Sequence, residues 1–355
     1  MQAFAYSNPA SVADAARAGA ADGAKYIAGG QTLLSSMKLG LAAPEALVDL
    51  GAIADLKGIT VSGGTVKIGA MTTHAAVAAS ADVQKAIPAL AHLAGNIGDR
   101  QVRNRGTIGG SLANNDPAAC YPAAVLGLGA TIHTDRRKIA ADDFFKGLYE
   151  TALDEGEIIT AVSFPVPEKA GWQKFNQPAS RFSIVGVFVS KGPAGVRVAV
   201  TGAGACVFRA KALEDALTRN WAPAAVAALS VSADGFNTDL HGSAAYRAAL
   251  IPVFFAGQLS AVRLCAVMAL VSGTWSSLTG LPDEPENGEA ALPVSPETEY
   301  QRRRYTLTLQ NGRSGERVES VLTEASSRLR GDLLRNLIIT GLALHTTAPE
   351  LPRLL

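Results

Sequence analysis

Two glycine-bearing segments, AGGQT at residues 28–32 and GTIGGS at 106–111, restrict this chain more than anything else in it. In YIAGGQT a β-prone run meets Gly29-Gly30 and then a helical pattern. Glycines there supply positive φ and let main-chain N–H groups approach an anion, with a helix dipole behind them. One such loop on its own reads rather as a strand-to-helix turn with no ligand. The second segment repeats the elements with added chemistry. In RNRGTIGGSLANND, Gly106, Gly109 and Gly110 permit close backbone approach, Thr107 and Ser111 offer hydroxyls, and Asn114 and Asp116 can bond ribityl or ribose hydroxyls. Two such loops can clamp one pyrophosphate from both sides. Arg100, Arg103 and Arg105 read either as phosphate ligands or as solvated or subunit-facing cations, and we take the second reading.

Other motifs are weaker. VRVAVTGAGACVFRAKALEDAL has a strand, G-x-G and a helix, but Val207 stands where a Rossmann fingerprint needs its third small residue, and no acidic residue closes a following strand. The five histidines (His74, His92, His133, His241, His345) show no metal-ligand spacing and no triad arrangement, so no metal site is expected. His74, just after GAMTT, lies close enough to a strand end to line a pocket. Cys120, Cys206 and Cys265 form no CxxC, which argues against an intrinsic iron–sulfur centre and against a disulfide framework. With no convincing acid, base or nucleophile, no catalytic residue is expected. The chain reads as a binding module or as an enzyme whose chemistry belongs to a cofactor.

A formal charge of +1 leaves no electrostatic footprint for nucleic acid or an acidic membrane. The N-terminus lacks the basic and apolar regions of a signal peptide, and the cysteine usage fits a reducing cytosol. The apolar run from Val253 to Val271 approaches membrane length but carries Gln258 and Arg263 near its middle, so no stable membrane insertion is expected.

At 355 residues several lobes are expected. Residues 1–55 alternate helix and strand as a βαβ-like lobe: a helix capped by Ser11, a strand at AKYIA, a helix closed by Gly40, and a strand at EALVDL. Residues 56–167 open with two strands around Gly63-Gly64, continue with helices from about Thr72 and through KAIPALAHLAG, and close with a strand in EGEIITAVSFPVP. Past a boundary near Pro165–Gly171, residues 170–253 read as paired strands plus helices at RAKALEDALT and SAAYRAALI, an α+β unit. Residues 254–355 change character: they contain ten arginines and no lysine, against eleven of each before them, and include PDEPENGEAALPVSPETEYQRRRY, a linker-like composition. A shifted reading frame or an unrelated fusion accounts for such a tail.

Taken together, YIAGGQTLLSSMKLG and VRNRGTIGGSLANNDPAACYPA resemble the two FAD-binding motifs of the medium subunit of xanthine dehydrogenase-type molybdenum hydroxylases, above all the aerobic carbon monoxide dehydrogenase group. The likeness continues through DDFFKGLYETALDEGEIITAVSFPVP and KFNQPASRFSIVGVFV, covering roughly residues 1–253. It implies an α+β fold: a two-lobed FAD-binding domain of the vanillyl-alcohol-oxidase (PCMH) type, then a smaller α+β C-terminal domain. It implies FAD with Ala28, Gly29, Gly30, Gln31, Thr32 and Leu33 on one side of the pyrophosphate and Thr107, Gly110, Ser111 and Asn114 on the other. Ile97 and Ile159 match positions near the flavin ring or its exit, and Asp116 stands ready to substitute where Cys120 replaces an acidic residue common in such enzymes. The resemblance further implies partners: a large subunit carrying molybdopterin cofactor and a small subunit carrying two [2Fe-2S] clusters, assembled as a dimer of heterotrimers. The complex would be cytoplasmic or peripheral to the inner face of the membrane. A stand-alone flavin oxidase or dehydrogenase of the same fold, and a scaffold that has lost flavin, are the alternatives.

Overall fold

The computed structural model describes residues 2–226 and 229–253, and the tail and most of the apolar run at 253–271 lie outside the described residues. The first lobe is a three-stranded parallel sheet, β1 (Ala5–Ser7), β2 (Ala24–Ile27) and β3 (Ala46–Asp49), with β3 in the centre. Helices α1 (Val12–Gly19) and α2 (Leu33–Lys38) make its crossovers. Ser11 caps α1 by accepting from the Asp14 N–H. The lobe's core of Ala15, Val48, Leu50, Ile53 and Leu56 also takes in Met71 and Ile158 from the next segment.

The second lobe runs β4 (Ile59–Ser62), β5 (Thr65–Gly69), α3 (His74–Ala79), α4 (Ala81–Ala86), α5 (Pro88–Gly95), α6 (Arg100–Arg105), α7 (Ile108–Asn114) and α8 (Tyr121–Leu128). It finishes with β6 (Thr131–Thr134), β7 (Lys138–Ala140), α9 (Ala141–Phe144), the small hairpin β8 (Phe145–Gly147) with β9 (Glu150–Thr151), and β10 (Ile159–Pro165). The large sheet has the order β4-β5-β10-β6-β7, all antiparallel, so its central strand is the last to be made. Where the sequence predicts one helix through KAIPALAHLAG, there are two. Pro88 has no N–H and restricts Ile87, whose extended φ of −141° ends α4 and starts α5.

The C-terminal unit is a four-stranded antiparallel sheet, β11 (Lys169–Asn176), β12 (Ser183–Gly192), β13 (Gly195–Thr201) and β14 (Phe208–Arg209), with α10 (Lys211–Arg219) and a helix over residues 244–253 on one face. Its other face packs on α8, all eight residues of which are buried. A helix apolar on every side has to lie between two layers. Its last carbonyls find partners across that interface: Arg197 Nε donates to Leu126 O at 2.8 Å and Ser190 Oγ to Gly127 O at 2.6 Å. Arg197 also holds Asp142 through two bonds of 2.7 and 2.8 Å. The G-x-G run at 202–204 is followed by β14 rather than directly by a helix, and a Cβ at Gly202 would crowd the Ser183 and Ile184 carbonyls. Close packing of the sheet explains that glycine, and no nucleotide loop is formed there.

Candidate functional site

A cleft of about 650 Å³ opens where the lobes meet, within the ~300–1,000 Å³ span of ligand pockets. Each of Ala28, Gly29, Gly30, Gln31, Thr32, Leu33, Ile97, Thr107, Gly110, Ser111, Asn114, Asp116 and Ile159 lines it, so the structure brings the whole predicted set to one place.

The loops touch. A Cβ on Gly29 would overlap the Arg105 carbonyl and crowd Gly106, so the second loop's backbone by itself requires a glycine at this position. Gly30 sits at φ +70°, the left-handed turn that sends the chain from β2 into α2. Beyond it the N–H groups of Gly30, Gln31, Thr32 and Leu33 have no acceptor among the described residues, while Leu34 N–H already returns to Gly30 O. Four consecutive open donors border the cleft on this side.

The second loop differs from the sequence expectation of bare N–H groups. Ile108 N–H donates to Thr72 O, Gly109 N–H to Ala70 O at 2.8 Å, and Gly110 N–H to the capping Thr107 Oγ1 at 3.1 Å. Those donors anchor α7 to the end of β5, because a buried helix start must satisfy its N–H groups somewhere. What the loop offers the cleft is space and side chains. A Cβ on Gly110 would meet only Thr107 Oγ1 at 3.0 Å and Ala28 Cβ at 3.4 Å. Half-buried Ser111 and Asn114 make no side-chain hydrogen bond among the described residues. Asp116 Oδ1 accepts from Ala118 N–H, and burial, partly opposed by that bond and by Tyr149, raises its carboxyl above the usual range. Asn115, by contrast, is buried at φ +42° and ties the α7 terminus to Gly147 O and Glu150 O.

The cleft has further lining residues, among them His74, which the sequence already places close enough to a strand end to line a pocket. His74 is 5% exposed, its Nδ1 has no hydrogen-bond partner among the described residues, and its ring lies 5.3 Å from that of Tyr121. Burial, with Arg103 adding repulsion, pushes its imidazole down to about 4, so it is neutral near pH 7. Glu157 borders the cleft too, yet its carboxylate is fully engaged by Arg137, Thr134 Oγ1 and Asp154 N–H and held down to about 2, chiefly by the Arg137 bond. It is a structural clasp and no base. Arg103 Nη1 donates to Ile97 O and Gly98 O, which fixes the loop after α5 and supports its non-ligand reading. Lys174, Ser180, Arg181 and Phe182 arrive from the C-terminal sheet. No short-range signal marks Lys174, since its partners Asn96, Cys120 and Arg181 are scattered along the chain.

Among the described residues no cluster of side chains could hold a metal ion, and no helix is long and apolar enough to cross a membrane. The open donors of the first loop, the room beside Gly110 and the unengaged Ser111 and Asn114 fit an elongated ligand with an anionic middle and hydroxylated arms.

Residues 2–167 match the family described as FAD binding domain in molybdopterin dehydrogenase, and residues 303–355 match one described as plasmid stability protein. The nicotine 6-hydroxylase medium subunit of Paenarthrobacter nicotinovorans is 37% identical over 269 residues, which are 71% of this chain and 94% of that one. The carbon monoxide dehydrogenase medium chain of Hydrogenophaga pseudoflava is 35% identical over 69% of this chain and 90% of its own. Among solved structures, carbon monoxide dehydrogenase from H. pseudoflava superposes with a TM-score of 0.66 at 33% identity, covering 74% of this chain and 98% of that one. Quinoline 2-oxidoreductase from Pseudomonas putida 86 does so with 0.68 at 30% identity, over 75% and 98%. Those chains are matched nearly end to end, whereas this one continues further.

Proposed function

The chain belongs to the FAD-binding medium-subunit family of molybdenum hydroxylases, oxidoreductases of the carbon monoxide and xanthine dehydrogenase type, and on that premise we propose how its cleft serves electron transfer. When bound, FAD supplies exchange between one-electron and two-electron carriers. The chain's own residues bind and orient it. The open N–H groups of Gly30, Gln31, Thr32 and Leu33 would serve the pyrophosphate as donors, and Gly110 would leave room for it. Ser111, Asn114 and Asp116 take the hydroxylated arms, with Thr107 holding α7 in register. Gly29 keeps the loops in contact, Ala28 borders the space beside Gly110, and Ile97 and Ile159 would serve as apolar walls near the ring or its exit. The observation that carries this reading is the convergence of both loops on one cleft.

In the complex this chain would hold the FAD that receives electrons from [2Fe-2S] clusters of a small partner subunit, the substrate being oxidised at the molybdopterin cofactor of a large one, and that delivers them to an external acceptor. The assembly is a dimer of heterotrimers in the cytoplasm. The nomenclature of the relatives as medium subunits supports the companions. A visible spectrum, metal analysis and subunit count on the native complex test this. Flavin with iron–sulfur absorption, molybdenum and two companion chains is the expected result, and flavin in an active single polypeptide would overturn it.

The division into 1–55, 56–167, 170–253 and 254–355 belongs to the same proposal. The in-frame match at 303–355 supports fusion to an unrelated coding unit over a shifted reading frame. Intact mass of the native chain checks it: the full 36.6 kDa is expected, and termination soon after residue 253 would refute fusion.

A further inference from the structure

Two reactive side chains from opposite parts of the molecule meet in the wall of the cleft. Cys120 precedes the first turn of α8, and Lys174 extends from β11 of the C-terminal sheet. Lys174 Nζ lies 3.4 Å from Cys120 Sγ, and it is steered there by two further bonds of 2.7 Å, to Asn96 O and Arg181 O. On the other flank Ser183 Oγ lies 3.6 Å from the sulfur. Cys120 is 5% exposed, and both residues line the cleft. Small molecules such as peroxide or a low-molecular-weight thiol reach the sulfur through that cleft, whereas a second protein does not. Cys206 lines a separate hollow beside α10, so it is not placed to form a disulfide with Cys120.

We propose that Cys120 and Lys174 form a peroxide-responsive covalent cross-link between the FAD-binding region and the C-terminal sheet. In the first step the Cys120 sulfur attacks hydrogen peroxide. An S–O bond forms, the O–O bond breaks, water departs, and sulfur is oxidised by two electrons to the sulfenic acid while peroxide is reduced. In the second step the Lys174 amine attacks that sulfur. An S–N bond forms, the S–O bond breaks, a second water leaves and the ammonium proton passes to solvent. No further oxidant is needed. Sulfenic acids ordinarily condense with a thiol or a nitrogen, and here the nitrogen is already in contact, which gives it the advantage of an intramolecular reactant. The pair is dissolved again by thiol attack on sulfur, so the modification is reversible. Ser183 hydroxyl, beside the sulfur, accepts or donates a hydrogen bond to the oxygen of the intermediate.

The cross-link does not depend on the flavin reading, because added peroxide suffices. The purified full-length protein is treated with hydrogen peroxide, quenched, digested with trypsin and mapped by mass spectrometry before and after dithiothreitol. The expected product is one peptide pair joined through Cys120 and Lys174, lighter by two hydrogens than the sum of its parts, uncut at Lys174 and released by dithiothreitol. In Lys174→Arg, which keeps the charge, the pair is absent and dimedone captures Cys120 instead. Oxidation confined to Cys206 and Cys265, or Cys120 oxidised in the wild type while Lys174 stays free and cleavable, would overturn the proposal.

Discussion

Gly29 and Gly110, one in each loop, have different duties, and substitution separates them. At Gly29 a side chain collides with the Arg105 carbonyl, a backbone atom that cannot step aside. Gly29→Ala is therefore expected to lower thermal stability and FAD content together. At Gly110 an added group meets only Thr107 Oγ1 and Ala28 Cβ before entering the cleft. Gly110→Val is expected to empty the site of FAD while shifting Tm by only a few degrees, read by flavin absorbance and calorimetry. Two residues also contribute to the acid response. His74 is neutral in the fold, so below 6.5 the unfolded chain takes up a proton that the folded one refuses until about 4, and stability falls across that window. Glu157 keeps its charge to about 2, so its contribution is complete above 4.5 and is lost as pH falls from there. Denaturation curves from pH 7 to pH 2.5 should show His74→Asn flattened in the upper window and Glu157→Gln in the lower one. That sequence alone picked out Ala28–Thr32 but not the clasp at Glu157 has a plain cause. The first is a local turn pattern, while the second joins Thr134, Arg137 and Asp154 through tertiary contacts.

Among the elements, α7 most directly connects local capping to the site. Its cap Thr107 is 3% exposed and accepts the Gly110 N–H, holding the turn that carries Ser111 and Asn114. Thr107→Ala should cost about 1 kcal/mol by loss of the cap. Chemical denaturation measures that cost, and a faster FAD dissociation rate should accompany it. Elements with a clear period or turn, such as α1, β4–β5 and β11–β13, were legible. The three-residue β1 was not, since Ala5–Ser7 is exposed and has no alternation to read. α8 was equally opaque: Tyr121–Leu128 is apolar throughout, and periodicity cannot tell such a run from a buried strand. The two-helix break at Ile87–Pro88 carried its signal openly in the proline.

On the scale of the whole molecule, the cores do not follow the domain boundaries read along the chain. One cluster runs from Val66 and Ile68 through α8 to Trp172, Phe188 and Ala199, so the second lobe and the C-terminal sheet share an interior. Arg197, 5% exposed and bonded to Leu126 O and Asp142, locks that junction. Arg197→Met should destabilise the chain by about 1–3 kcal/mol, since it strands the buried Leu126 carbonyl, while half-exposed Asp142 keeps Arg209. Urea titration with a single transition would show the two units failing together, whereas separate transitions would contradict the shared core. The place of β10 has a further effect during synthesis. Both its neighbours, β5 and β6, leave the ribosome before it, and neither pairs with the other in the finished sheet. Until about Pro165 has emerged, the nascent lobe carries two open strand edges with nothing between them, an invitation to mispairing. The central strand thus acts as a keystone delivered last, and chaperone demand should peak in the interval just before it arrives.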